Sequence, residues 1–501
     1  MTQQLTYGIL LRDARKGVRV SAAADMPAQH HIIVKGVDGV QSKQITNFTE
    51  GSIPRHLIAF SAPMFLGNLL QAFYNTVDSI WVGRFLGANA LAAVSVGFPV
   101  IFAMVALVMG IAMASTILVA QYFGAGQHER VMKTVNNSLL MLTVLGGVVS
   151  VLGFAFRTPL LRLINTPAEI IDQASSYLGI YLSGLIVMFL YNTAGAILRG
   201  LGDSRTPLRF LIYATVINVF LDPLLIFGLG PIPAMGVSGA ALATVIAQGI
   251  SAILALHYLY ARSGIVTYQP GTFRPDWGIT RLTFRIGLPA GLQQVLVSLS
   301  ALVVNSIVNS FGATVVAAFG SAARLDQFAF MPAMSVGAAA SALVGQNLGA
   351  DRDDRVRETV KWALMLAASI TALVSLVAIF SPNLLLSMFT KDVGVLAEGA
   401  RYLRYMSLAY IPLALMFTLG GVLRGTGDTM ATMVLSLLSL WGVRVPLARH
   451  LVQQGYGISG VWTAIAISAF SGFLLHLTYY RSGRWRSKAV TRGPKKAFGE
   501  S

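Results

Sequence analysis

Apolar runs of about 20 residues or more, divided by short polar stretches, fill the chain from about residue 56 to residue 480, and each can cross about 30 Å of hydrocarbon as a helix. The pattern predicts spans at 56–82, 90–119, 134–156, 174–198, 207–229 and 236–260, then at 284–310, 316–344, 359–380, 400–423, 430–453 and 457–480. A polar linker from Arg262 to about Thr280, containing Pro270 and Pro275, separates six spans from six. The expected division is a polar N-terminal extension at 1–52, a six-helix bundle at 53–261, a linker at 262–282, a second six-helix bundle at 283–481 and a basic tail at 482–501.

Composition agrees: 55% of residues are hydrophobic and 11% charged, too few charges for a water-soluble surface. The first fifty residues are mixed polar and charged and lack a signal-peptide core, so the start is expected to stay in the cytoplasm. There is no cysteine, which excludes disulfides, thiolate chemistry and cysteine-held metals. The net charge of +17 raises nucleic acid as a partner, but the basic residues sit in the tails and in alternate loops. Counted together with the adjoining five residues of each span, the loops after even-numbered spans hold 14 Lys and Arg, and those after odd-numbered spans hold 7. The positive-inside rule accounts for this and puts both termini in the cytoplasm of a multi-pass plasma-membrane protein, with anionic lipid against the basic tail and no nucleic acid bound.

The halves repeat each other. VAQYFGAGQHERV, ending at Val131, matches VGQNLGADRDDRV, ending at Val356, at an offset of 225. AILRGLGD, ending at Asp203, matches GVLRGTGD, ending at Asp428, at the same offset. Ala62-Pro63 corresponds to Leu288-Pro289, and GVSGAALAT from Gly236 resembles GISGVWTA from Gly457. Six spans per repeat is an even number, so the bundles are parallel repeats about an axis along the membrane normal, with room for a cavity between them.

Ionisable groups within spans are rare and mark function or helix-holding hydrogen bonds. Asp78 lies toward the end of the first span, Asp222 deep in the fifth, and Asp326 near the start of the eighth. Gln71, Tyr74 and Asn75 precede Asp78 by seven, four and three positions and share its helical face. Asn218 and Asp222 share a face in the same way, and Pro223 frees a carbonyl beside them. Asn192 and Thr244 add further oxygens. Such a set suits a hard cation such as sodium, with Asp222, Asn218, Tyr74 and Thr244 as its ligands, while a buried carboxylate could instead bind a proton. Asp326 is expected to be structural, neutralised by nearby Arg324.

At the equivalent second-half positions stand Val304, Val445 and Trp441, so ion coupling is expected in the first half alone. Asn305 and Asn309 could line the cavity there, and intramembrane Arg444 is expected to pair with a carbonyl or reach the interface. Pro63 predicts a kink in the first span. Met104, Met109, Met113, Met331 and Met334 suit either ordinary packing or an adaptable apolar surface. There is no HExxH and no GxxxxGK[ST], so neither a zinc protease nor an ATP-driven pump is supported, and no catalytic cluster or cofactor is expected.

Proline 63 followed fifteen residues later by Asp78, the string DSIWVGRFLGANALAA, and the paired GQxxGA and LRGxGD elements resemble the multidrug and toxic compound extrusion (MATE) family over residues 52–482. The resemblance implies an all-α, V-shaped fold of twelve transmembrane helices in two six-helix bundles, acting as a monomer that exchanges protons or sodium for organic, often cationic, drugs. It extends to the branch similar to DNA-damage-inducible protein F, whose coupling pattern maps onto Gln71, Tyr74, Asp78, Asn192, Asn218, Asp222 and Thr244. The family's other bacterial branch carries acids in the seventh and tenth spans, which Gln294–Ser300 and Leu413–Thr418 lack. The expected function is thus secondary drug export by alternating access, with Asp78, Asp222, Asn218 and Tyr74 coupling the ion and Gln71, Asn192, Thr244 and Asn305 lining the substrate cavity. The alternative is a flippase for a lipid-linked precursor, which needs a more cationic cavity.

Overall fold

A computed structural model describes residues 45–491 apart from 229, 262, 264, 265 and 267–274. Most of the N-terminal extension, much of the linker including Pro270, and the last ten residues of the tail lie outside the described residues. The first half comprises α1 (Ile53–Trp81), α2 (Ala88–Gly124), α3 (His128–Leu163), α4 (Ala168–Ser183), α5 (Leu185–Gly200), α6 (Arg205–Phe227) and α7 (Val237–Ala261). The second comprises α8 (Trp277–Asn309), α9 (Ala313–Gly349), α10 (Asp353–Phe380), short α11 (Pro382–Ser387), α12 (Val393–Gly425), α13 (Thr429–Leu437), α14 (Val445–Gln453) and α15 (Gly457–Arg481).

Eleven spans are single helices or near-continuous ones, and α4 with α5 makes the twelfth, bent by 46°. The bend falls at Ser183-Gly184, where a Cβ on Gly184 would stand 2.3 Å from Val245 of α7. A helix crowded this closely breaks at its Gly/Ser pair. Two helices carry a π-helical stretch, Val82–Leu86 after α1 and Leu438–Arg444 between α13 and α14. Helix α1 runs unbroken through Pro63. Several helices overshoot the expected spans: α2 and α9 have 37 residues each, about 55 Å of helix, so their ends stand clear of the hydrocarbon.

The two bundles meet reciprocally. Helix α2 packs on α8 and α9, while α9 packs on α1 and α2. Glycines permit the approach: a Cβ on Gly110 of α2 would lie 2.3 Å from the Gly291 nitrogen of α8. Where the chain termini emerge the contact tightens further, since a Cβ on Gly124 would fall 1.9 Å from the Gln346 carbonyl oxygen and one on Gly349 2.0 Å from that of Gln121.

At this end the repeated motifs interlock. The Gln121 amide donates to the Gly425 carbonyl at 2.9 Å and its oxygen accepts from the Val490 N–H at 2.8 Å. Its counterpart Gln346, 225 positions later, donates to the Gly200 carbonyl at 3.0 Å and accepts from the Phe48 N–H at 3.0 Å. Each glutamine therefore ties the opposite half's LRG helix end to one terminal segment of the chain. The rest of each LRGxGD element makes the turn: Gly202 and Gly427 take φ of 89° and 92°, a left-handed conformation that glycine adopts freely. Asp203 then accepts from the Arg205 and Thr206 N–H groups, and Asp428 from that of Ala431, so each opens the next helix. Arg355 completes the N-terminal side by donating to the carbonyls of Phe48 and Glu50 at 2.9 and 3.0 Å.

Candidate functional site

Asp78 sits near the end of α1, one turn beyond Tyr74, and faces Asn218 and Asp222 of α6 and Thr244 of α7. Close packing of α6 and α7 makes this possible, since a Cβ on Gly239 would meet the Leu225 carbonyl at 2.4 Å. Asp222 and Asn218 are fully buried and Tyr74 and Thr244 nearly so, while Asp78 is half-buried. The carboxyl groups of Asp78 and Asp222 lie close enough to interact directly, and the Thr244 hydroxyl is a neighbour of both Tyr74 and Asp78. Asn218 donates to Asp222 Oδ1 at 3.1 Å.

Four polar atoms gathered here have no hydrogen-bond partner among the described residues: Tyr74 Oη, Asp78 Oδ1, Asn218 Oδ1 and Asp222 Oδ2. Buried oxygens are otherwise almost always satisfied. Three of the four can only accept, and they converge with the Thr244 hydroxyl into an oxygen set that suits a proton or a hard cation. Pro223 adds to the set's acceptor character, because its missing N–H leaves the Val219 carbonyl without its helical partner.

The other expected residues stand apart from this cluster. Gln71 donates to Asn75 Oδ1 at 3.2 Å along its own helix, and Asn192 donates back to the Met188 carbonyl at 2.8 Å. Asn305 and Asn309 are exposed on α8. Among the methionines, Met109 and Met334, 225 positions apart, are 44% and 50% exposed, whereas Met331 is buried. Two residues missed in the sequence are Tyr177 and Tyr181 of α4, whose rings stack at 6.0 Å beside Asp78.

The expected Asp326–Arg324 pairing is corrected. Arg324 points outward, its guanidinium 5.9 Å from the Phe389 ring centroid, and makes no ion pair with Asp326 among the described residues. Residues two apart on a helix face different directions. Asp326 instead accepts from Tyr402 at 2.5 Å and from Tyr410 at 2.6 Å, both on α12. Tyr402 is the counterpart of Tyr177 at the same offset of 225, the one signal that could have found either. Arg444 bonds a hydroxyl, not the expected carbonyl: its Nε donates to Ser468 Oγ at 2.9 Å.

Twelve apolar spans in two repeated bundles, with an acid pair enclosed between helices of one of them, describe a multi-pass membrane transporter. The family model MatE matches the chain twice, over residues 63–224 and 289–449. The chain is 32% identical over 445 residues to the probable multidrug resistance protein YpnP of Bacillus subtilis (strain 168), covering 88% of this chain and 98% of that one. It is 34% identical over 446 residues to the probable multidrug resistance protein YoeA of the same organism, covering 88% and 96%. A crystal structure of MATE in the bent conformation superposes with a TM-score of 0.83 at 24% identity, covering 89% of this chain and 98% of that one. The chain belongs to the MATE family, whose members are transporters and not enzymes, and it is a multidrug efflux transporter of that family.

Proposed function

We propose that this chain is an ion-coupled drug exporter in which Asp78 and Asp222 jointly hold the coupling ion. The observation that carries the reading is the pair itself: two carboxyl groups from different helices close enough to interact directly, with two of their oxygens unpartnered. Two like unit charges about 4 Å apart repel by about 4 kcal/mol at an effective dielectric of about 20. One positive charge relieves this, and a proton or a sodium ion supplies it equally well. Tyr74, Asn218 and Thr244 complete the oxygen set that a sodium ion wants.

Uptake of the ion draws α1 toward α6 and α7, and release lets them part. Pro63 gives α1 a place to flex, because the Ala59 carbonyl lacks its helical N–H. In this reading the bundles at 53–261 and 283–481 rock about their shared α1, α2, α8 and α9 contact. The excess of Lys and Arg puts the terminus-bearing end in the cytoplasm of a plasma-membrane protein. Organic drugs, many of them cationic, occupy the cavity between the bundles, lined in part by Gln71, Asn192 and Asn305, when the carboxylates are free. The protein works as a monomer.

The test is efflux from proteoliposomes under separately imposed proton and sodium gradients. Wild type is expected to respond to one of them, and Asp78→Asn and Asp222→Asn to lose the response by at least about tenfold, a free-energy loss of about 1.4 kcal/mol. Undiminished gradient-driven efflux in both variants would overturn the assignment of the ion to this pair.

A further inference from the structure

The second bundle holds a base that the ion site does not use. Arg444 closes the π-helical turn between α13 and α14 and stands next to Val445, which the alignment of Pro446 with Pro223 sets opposite Asp222. At corresponding depths the first bundle therefore carries acids and the second carries a guanidinium. A π-helical stretch within an α-helix often marks a functional position.

The arginine is oriented but not satisfied. Its Nε donates to Ser468 Oγ, and Ser468 is itself fixed, donating to the Ile465 carbonyl at 2.8 Å while its own carbonyl accepts from Ser439 at 2.6 Å. A guanidinium has four more N–H groups, on its two terminal nitrogens. Among the described residues these have no acceptor, and the side chain is half-buried, so the fork reaches accessible space. Tyr402 lies within electrostatic reach of Arg444, but its hydroxyl donates to Asp326. Asp326 has both oxygens engaged, one by Tyr402 and one by Tyr410, so the acid at this level is held away from the base. The free N–H groups of the Arg444 fork, held at an intramembrane level, call for an anionic oxygen group.

We propose that Arg444 is a substrate-docking residue whose fork takes the oxyanion group, a carboxylate or a phosphate, of a transported amphiphile. The planar guanidinium binds both oxygens of such a group at once. The two bundles then divide the selection: the acid pair of the first disfavours bare anions, and Arg444 of the second favours molecules that carry an acidic group beside a cationic or apolar body. This rests on the exporter reading for its consequence in transport, but not for the binding it asserts.

The test uses rhodamine B, which carries a free carboxylate, and its ethyl ester, which does not. Equilibrium binding to the purified full chain is read by fluorescence anisotropy and efflux by proteoliposome assay. Arg444→Gln is expected to weaken rhodamine B binding and efflux by at least about tenfold while the ester changes by less than about twofold, and Arg444→Lys, which keeps the charge and loses the fork, to fall between. Ser468→Ala, which releases the arginine without removing it, is expected to narrow the discrimination in the same direction and serves if Arg444→Gln does not fold. Equal losses for both dyes, or none, would overturn the proposal. Arg444-dependent scrambling of fluorescent phosphatidylglycerol without Arg444-dependent dye binding would assign the fork to a lipid headgroup and also overturn it. Loss of all gradient-driven efflux in wild type would refute the exporter reading, while the anisotropy contrast would still decide the role of Arg444.

Discussion

Replacing Gln346 by alanine separates the two halves of the seal at the terminus-bearing end. The substitution removes the donor to the Gly200 carbonyl and the acceptor for the Phe48 N–H, both buried. Leaving one such group unpartnered costs about 1–3 kcal/mol. The closed end therefore loses roughly 2–6 kcal/mol relative to a state in which water reaches both groups. At about 1.4 kcal/mol per factor of ten, the lower figure already favours the open end roughly 30-fold. The natural absence of cysteine makes the assay direct, since one introduced thiol is the only one present. Thr426 is fully buried beside the other glutamine's contact at Gly425, and Thr426→Cys reports opening across the repeat axis from the perturbation. The rate of labelling by an impermeant maleimide is expected to rise at least about tenfold when Gln346→Ala is added. An unchanged rate in the Thr426→Cys background, with faster labelling in the Ser204→Cys background, would refute the reasoning, because Gln346 would then tie down only its own terminal segment.

Three other outcomes follow from the packing. Gly124→Ala and Gly349→Ala put a Cβ within 2.0 Å of opposing backbone and are expected to lower stability by at least about 1–3 kcal/mol, read as a drop in the thermal midpoint of the solubilised protein. Gly320→Ala, with open space around it, is the control and leaves the midpoint unchanged or slightly higher. Tyr410→Phe removes one hydrogen bond to a charged carboxylate and is expected to destabilise by about 1.5–3 kcal/mol, with Tyr402→Phe similar, both by thermal denaturation. Arg355→Gln frees the backbone at Phe48 and Glu50, so limited proteolysis is expected to remove the N-terminal segment faster while cleavage at the other end stays the same.

What the sequence made legible was what hydrocarbon dictates. Each span needs a long apolar run, so all twelve appear close to their expected places. The ends were less so: α3 and α10 begin six residues early, at His128 and Asp353, because charged first turns standing in water need no apolar residues. The break at Gly184 and the two π-helical stretches left no trace in hydropathy, since a bend among apolar residues does not change their composition. Asp78 and Asp222 were visible as isolated acids, and their common placement was suggested by residues one turn away on each helix. That the two carboxyl groups face each other depends on how α1 meets α6, which no local pattern encodes. The partner of Asp326 was misread for the same reason. Its nearest cation in sequence, Arg324, points elsewhere, and its true partners lie 76 and 84 residues away.

The reciprocal glutamines also set an order for biogenesis. Gln121 leaves the ribosome early but waits for Val490, 369 residues later, and Phe48 waits 298 residues for Gln346. Neither half can finish its own closure with residues it contains. A chain released after its first six spans would place helices in the membrane and still lack both tethers, so this end becomes tight only once the chain through Val490 has been made. The seal in effect checks that both halves are present, because each tether joins one end of the described chain to a glutamine of the opposite half.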